Sequence, residues 1–369
     1  MLDSTDVFVI GGGPAGLAAA IAARQQGFRV TVADGARPPI DKACGEALMP
    51  DAVAGLESLG IVVPATDAFL LGGVRFLASG LSAEAAFPSG SCGLSVRRIL
   101  LHRIMIERAA ALGVDLLWQT AVTGISCDEV QLGGRSIRSR WIVGADGTNS
   151  RVRRWANLNL HSQGSLRYAF RRHYRIRPWT DRMEVYWGKR SQGYSNPVNS
   201  EEVCVAVASH DPGLRLEESL LAFPELNARL RGVETTSVVR GSVSSNHRLK
   251  QVWRENVALI GDASGTVDAI TGEGLGLSFR QAVVLAECLR SGSLAGYSVA
   301  HRRLALRPLL MARLMLTLDG HPRIQQRTLQ VFRKRPEIFR RLLALHIGSL
   351  SPLHLALDGL TLGWGLLTT

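Results

Sequence analysis

The chain has 369 residues, 46% of them hydrophobic and 20% charged, which excludes a disordered polymer and allows one large domain or two closely joined ones, each with a core. The formal net charge of +12 suits an anionic partner, but no nucleic-acid-binding module accompanies it, so a nucleic acid is not expected. The five cysteines form no CxxC pair and the nine histidines are scattered, so neither a metal site nor a disulfide framework is expected. No basic leader precedes the first apolar run, and no stretch reaches the roughly 18 apolar residues of a membrane span. A cytoplasmic location is the expectation.

Val7–Ile10 reads as a short buried strand, Leu17–Gly27 as an Ala-rich helix, and Arg29–Asp34 as a second strand closed by an acid. Between the first two lies Gly11-Gly12-Gly13-Pro14-Ala15-Gly16. The Gly11-x-Gly13-x-x-Gly16 spacing has a mechanical meaning. Gly11 permits the tight turn, Gly13 lets backbone approach a pyrophosphate, and Gly16 lets helix and strand pack closely. The free N–H groups of the helix start, around Pro14 and Ala15, attract phosphate. Asp34 stands where an acid accepts hydrogen bonds from an adenosine ribose. The unit is therefore Rossmann-type and dinucleotide-binding.

Farther along come Lys42-Ala43-Cys44-Gly45, then a helix start at Ser95–Leu101 that contains Arg98. Trp141–Arg153 is a strand running into Gly144-Ala145-Asp146-Gly147. From about 156 to 250 the pattern turns to alternation, with strands at Leu166–Arg171, Met183–Trp187 and Val203–Val207. Tyr186, Trp187 and Tyr194 are candidates for a substrate wall, although an aromatic stripe also serves as plain core. A further strand ends at Gly261-Asp262. The turn Gly272-Glu273-Gly274 leads into a helix from about Leu275. Leu304–Leu316 and Val331–Leu345 read as amphipathic helices with Arg-rich faces, and Pro308 and Pro336 are where these helices kink or start. The Leu-rich tail Leu355–Leu367 reads as a lid over a lipophilic substrate or as a weak peripheral membrane contact.

The set resembles the flavoprotein superfamily of para-hydroxybenzoate hydroxylase and the geranylgeranyl reductases. GADGTNSRVR resembles its Asp-Gly motif and ALIGDASG its second Gly-Asp motif; the motifs follow the family's order over nearly all of the first 295 residues. The resemblance implies an α/β fold, a Rossmann-type FAD-binding domain interleaved with an antiparallel-sheet substrate domain, plus C-terminal helices. It divides the chain into an FAD unit (1–70, 96–155 and 250–295), a substrate unit (71–95 and 156–249) and a helical region (296–369). It implies noncovalent FAD held by Gly11, Gly13, Pro14, Ala15, Gly16, Asp34, Cys44, Arg98, Asp146, Gly261, Asp262, Gly272, Gly274 and Leu275. Asp262 would meet the ribityl chain, Arg98 the phosphates, and the helix from Leu275 the pyrimidine edge. Cys44 would lie near the isoalloxazine, and Cys44 and Tyr194 are the candidate catalytic residues; Cys44 as a small buried residue is the alternative.

The reductase branch carries Tyr-x-Trp-x-Phe-Pro, where this chain has Tyr194 but Asn196 and Asn199 in the Trp and final Pro positions. The leading expectation is therefore an FAD-dependent monooxygenase of a lipophilic, aromatic or polyketide-like molecule, acting through a flavin hydroperoxide. Alkene reduction by hydride transfer is the alternative, favoured by GDASGTVDAITGEGLG. A flavin-holding partner protein without turnover is the third reading. With a single dinucleotide fingerprint present, NADPH or NADH visits transiently, or a protein donates the electrons.

Overall fold

The computed structural model describes residues 4–158, 160–189 and 191–350. In chain order, β1 (Ser4–Ile10), α1 (Pro14–Gln25) and β2 (Val30–Asp34) form the first unit. The chain continues through β3 (Ala47–Leu48), α2 (Pro50–Ser58), β4 (Phe69–Leu71), β5 (Gly73–Ala78), β6 (Leu81–Ala86), β7 (Gly93–Ser95) and α3 (Arg98–Ala111). Then come β8 (Asp115–Trp118), β9 (Val122–Ser126), β10 (Glu129–Leu132), β11 (Arg135–Gly144) and α4 (Arg151–Trp155). The substrate side holds β12 (Leu160–Arg175), β13 (Arg182–Trp187), β14 (Ser191–Pro197), β15 (Glu202–Ser209), α5 (Leu216–Leu220), α6 (Pro224–Leu230) and β16 (Arg240–Leu249). Last are β17 (Trp253–Arg254), β18 (Val257–Leu259), α7 (Gly274–Arg290), α8 (Tyr297–Leu318), α9 (Pro322–Lys334) and α10 (Pro336–His346).

Proline opens α1, α2, α6, α9 and α10, where its missing N–H costs nothing and its fixed φ suits the first turn. The stretch Val331–Leu345, expected as one helix, is broken for this reason: Pro336 stops α9 and starts α10. Pro308 lies inside α8, which runs unbroken past it.

The first sheet runs β17-β18-β11-β1-β2-β8, with β1, β2, β8, β11 and β18 parallel. Both faces are buried, so its strands are nearly all apolar: Val7, Phe8 and Val9 are fully buried. Helices α1, α3 and α7 cover one face. The second sheet runs β16-β12-β15-β14-β13-β5-β6 and is antiparallel except for β13 on β5. One of its faces is packed by α5 and α6 through Val203, Val205, Phe223 and Leu226. Its β5–β6–β13 end is covered by α9 and α10 through Leu329, Phe332, Ile338 and Phe339. β7, though it lies in the stretch given by sequence to the substrate unit, pairs with β3 and β4 in a small third sheet.

Candidate active site

Because β18, β11, β1 and β2 lie side by side and parallel, their following turns open on one edge. A cavity of about 640 Å³ starts there and extends to the second sheet. Gly11, Gly13, Pro14, Ala15, Asp34, Arg98, Asp146 and Asp262 line its first part; Cys44, Gly272, Gly274, Leu275 and Tyr194 also line it. Gly16 and Gly261 stand behind the wall and serve close packing. A Cβ on Gly16 would sit 1.8 Å from the Gly11 carbonyl oxygen, and one on Gly261 2.7 Å from the Ala15 Cβ. Gly11 has φ +111°, so the turn itself requires glycine.

The three acids differ in what they hold. Asp34 accepts the Gly12 N–H (2.7 Å) and the Ala36 N–H (2.7 Å), so it pins the glycine turn as well as bordering the cavity. Asp146, which lines the cavity as expected of a ligand contact, also caps α4. Its carboxylate accepts from Ser150 Oγ (2.5 Å) and from the N–H groups of Arg151 (2.6 Å) and Val152 (3.2 Å). Asp262 pairs with Lys42 Nζ at 3.1 Å and accepts a weaker bond from Thr148. Arg153, buried, ties these loops together by donating to the carbonyls of Thr148 (3.0 Å) and Ala263 (3.2 Å).

Two buried histidines brace the turns, and neither stood out in the sequence. The Ile40 N–H donates to His102 Nδ1 (3.1 Å), so the proton is on Nε2 and is donated to the Gly12 carbonyl (2.7 Å). Burial holds the His102 pKa below the usual value, keeping the ring neutral. On the far loop, the Gly261 N–H donates to Gln281 Oε1 (2.9 Å), which turns the amide nitrogen toward His301 Nε2 (2.9 Å). That nitrogen must accept, and desolvation lowers the His301 pKa to about 4.

These residues fit an adenine dinucleotide. A Cβ on Gly13 would meet nothing within 4 Å, although its φ of −70° and ψ of 176° suit any residue. The backbone there is bare toward open space beside the N-terminus of α1. Arg98 Nε is buried without a partner on the same wall. Gly272 and Gly274 likewise face open space, and α7 starts at Gly274 with no acid in its first turn. Both helix ends leave N–H groups for anionic ligand atoms.

At the other end, strand alternation decides what the wall presents. Ala169 and Arg171 of β12, Tyr194 and Asn196 of β14, Ala206 and Ala208 of β15, and Ser242 and Ser244 of β16 face the cavity. Most are small, which leaves room for a ring. Across the sheet, Arg171 pairs with Ala206 and Ala206 with Tyr194, while His173 pairs with Cys204 and Cys204 with Asn196. Tyr194 donates to Gln192 Oε1 (2.8 Å), and burial pushes its phenol pKa well up, so it is neutral. Asn196 donates its amide to the Gly45 carbonyl (2.7 Å), which fixes the orientation of the amide, and its Oδ1 is buried with no partner. Cys44 Sγ accepts the Glu46 N–H at 3.3 Å. Tyr186 does not line the cavity; it faces α5–α6, packs tilted against Phe223 and donates to Glu184 (2.6 Å).

Glu46, invisible as a site residue in the sequence, sits at φ +65° and is 3% exposed. It accepts His173 Nε2–H at 2.6 Å and the Arg98 N–H at 3.0 Å. Glu46, His173 and Cys204 bring ligand-type atoms within 4.8 Å. The chemistry is that of a hydrogen-bonded bridge. His173 Nδ1 is flanked by the guanidiniums of Arg171 (3.2 Å) and Arg97 (3.3 Å), and burial drives the Cys204 thiol pKa well up. A divalent cation would face two fixed positive charges. The bridge instead clamps the Cys44 loop to the second sheet, reinforced by Arg171 on Asp41 (2.5 Å).

A smaller apolar cavity, about 70 Å³, lies between the second sheet and the C-terminal helices. Trp187 and Phe76 line it from the sheet, Met311, Met315 and Phe332 from the helices. Met49 and Met183 border both cavities. The candidate tail segment 355–367 lies outside the described residues.

Residues 4–292 match the FAD binding domain family. The chain belongs to it. It is an FAD-dependent oxidoreductase of the flavoprotein superfamily. The chain is 30% identical over 348 residues to a menaquinone reductase of Mycobacterium tuberculosis, covering 82% of this chain and 84% of that protein. It is 26% identical to a probable 2-heptyl-3-hydroxy-4(1H)-quinolone synthase of Rhodococcus erythropolis, covering 78% and 80%. A flavoprotein/dehydrogenase structure from Cytophaga hutchinsonii superposes with TM-score 0.80 at 19% identity, over 94% of this chain and 93% of that one, and shares the fold.

Proposed function

We propose that the protein is an FAD-dependent monooxygenase that hydroxylates a lipophilic, aromatic molecule of polyketide or quinolone type. The observation that carries this is Asn196. Its Oδ1 is a buried acceptor without a partner on a wall made mostly of small residues. A buried polar atom left unpaired costs about 1–3 kcal/mol, which a substrate hydroxyl or N–H group would recover. An aromatic ring bearing such a donor is electron-rich enough to be attacked by electrophilic oxygen. The quinolone synthase relative is named for a ring of this kind.

Bound FAD supplies the redox chemistry and, when reduced, the reaction with oxygen. The chain's own residues do the rest. The α1 N-terminus and the bare backbone at Gly13 would receive the diphosphate, Arg98 would neutralise it, and Asp262 with Lys42 would hold the ribityl chain. The N–H groups at the start of α7 would stabilise negative charge on a reduced ring held beside them. The clamp of Glu46, His173 and Arg171 fixes the Cys44–Gly45 loop against the sheet and excludes water. Asn196 orients the substrate. Tyr194, neutral and turned toward Gln192, is a wall residue and donor rather than a base. NADPH or NADH is the reductant, visiting without a second dinucleotide fold.

The alternative is reduction of an alkene. The likeness to a menaquinone reductase over 82% of this chain favours it, as does the Ile270-Thr271-Gly272-Glu273-Gly274 turn. Mass spectrometry separates the two. Hydroxylation adds one oxygen atom, which carries the label when the gas phase is labelled dioxygen, and stops without oxygen. Reduction adds two hydrogens and proceeds anaerobically; undiminished anaerobic turnover to product defeats the monooxygenase reading.

A further inference from the structure

We propose that the outer face of α8, α9 and α10 docks on an anionic lipid bilayer. Residues 297–346 hold eleven Arg and Lys against two acids, Asp319 and Glu337, and so nine of the chain's twelve net positive charges. Of the eleven, only Arg307 turns inward, to Asp51 at 2.6 Å. On α8, Arg302, Arg303 and Arg313 are exposed. On α9 and the corner after it, Arg323, Arg327, Arg333, Lys334 and Arg335 are exposed, and α10 adds Arg340 and Arg341. Setting Arg327 and Arg341 aside, none of these exposed bases forms an ion pair among the described residues.

A solvated surface does not need such a one-signed field; proteins intersperse both signs. The opposite faces of α9 and α10 are buried on the second sheet by Leu329, Phe332, Ile338 and Phe339, and α8 buries Tyr297 and His301 against β18 and α7, so each helix turns its charge to solvent. Apolar side chains stand among the charges: Leu306 is 54% exposed, Val299 45% and Ile324 38%. A cationic helical face with interspersed aliphatic side chains matches headgroups and the upper acyl region together, whereas a nucleic acid would use only the charge. The helices that carry this face also wall the small apolar cavity, which borders the large one at Met49 and Met183. No helix among the described residues is long and apolar enough to cross a membrane, so contact by these helices is at the surface.

The test is sedimentation of the FAD-loaded protein with phosphatidylcholine vesicles, with or without phosphatidylglycerol. The expected result is binding only to the phosphatidylglycerol vesicles, weakening as salt shortens the screening length. R333E/K334E/R335E should lower the partition coefficient by at least roughly 100-fold, at the customary contribution of each base near such a surface. R333K/R335K should bind as the parent does. Retained flavin and unchanged melting temperature show that the triple variant is folded. Equal binding to both vesicle types, no binding, a triple variant that binds like the parent, or duplex DNA competing the protein off the vesicles each overturns the proposal. None of these readouts involves turnover, so docking and reaction class fail separately.

Discussion

Gly13→Ala isolates what the glycine turn does for the ligand from what it does for the fold. Gly13 is extended, at φ −70° and ψ 176°, a conformation open to alanine, and the added Cβ would meet no atom within 4 Å. Nothing in the protein therefore needs glycine here. At a compatible position Gly→Ala stabilises by about 0.4–1 kcal/mol, because the unfolded chain loses freedom. The apoprotein should melt at the same temperature or a few degrees higher. FAD should bind worse. A methyl group projecting into the space for the diphosphate displaces charged oxygens from backbone N–H donors, and one such bond is worth about 1.5–3 kcal/mol, or roughly 10–100-fold in Kd. Scanning fluorimetry of apoprotein and titration with FAD, followed by flavin fluorescence, measure the two effects separately. If G13A bound FAD as tightly as the parent, the backbone at Gly13 would not face a diphosphate and the placement of the cofactor would be wrong.

Gly16→Ala should do the reverse: its Cβ would lie 1.8 Å from the Gly11 carbonyl, so overpacking should cost at least about 1–3 kcal/mol in chemical denaturation, with or without FAD. Asn196→Ala leaves a substrate donor without its acceptor, and KM should rise roughly 10-fold or more while FAD affinity stays put; an unchanged KM removes Asn196 from substrate binding. Tyr194→Phe should cost about 1 kcal/mol of stability and leave the pH profile of kcat unmoved, since burial already keeps the phenol neutral. His301 predicts an acid limb of stability: its folded pKa is about 4 against an unfolded value near 6.5, so below pH ~6.5 the unfolded chain takes up the proton first. That contribution is complete above pH ~6.5 and falls by about 3 kcal/mol once pH ~4 is passed; a parent-minus-H301Q urea-denaturation difference that stays flat from pH 7 to 4 refutes it.

The cofactor half was legible because its chemistry is written in contiguous sequence. Strand, glycine turn and helix follow one another from Val7 to Gln25, and the Gly-Asp turns at 144–147 and 261–262 each sit at the end of their own apolar strand. Parallel pairing then brings the three strand ends together without further information. The capping task of Asp146, which it holds as well as its place on the cavity wall, was not legible because it depends on where the Arg151 and Val152 N–H groups come to lie. The ring end was less legible for a different reason. Glu46, His173 and Cys204 come from three segments, and no local pattern announces that they meet. Tyr186, Trp187 and Tyr194 were equal candidates for the wall in sequence, and only the packing of the second sheet turns Tyr186 to α5–α6, Trp187 to the small cavity and Tyr194 to the large one. Asn196 was visible as a departure from a motif, whereas its unpaired oxygen depends on the Gly45 carbonyl, 151 residues away.

The division of labour in the cavity explains how one scaffold serves both oxygenation and reduction. The cofactor end combines backbone, at the glycines and helix N-termini, with a few charged side chains, Asp34, Arg98 and Asp262. These groups suit a dinucleotide whatever the flavin then does, so this end is indifferent to the reaction. The ring end is built from side chains at alternate positions of β12, β14, β15 and β16, while the intervening positions, Val203, Val205 and Val207 among them, hold the core against α5 and α6. A strand segregates the two tasks by parity, so a wall residue can change without opening a cavity in the core behind it. In the proposed function Asn196 is such a position: a change there alters the hydrogen-bonding demand made on the substrate while Val203 and Val205, on the other face of the neighbouring strand, stay packed. Selection of the substrate is therefore a property of the second sheet's cavity face, separable by mutation from both flavin affinity and fold stability.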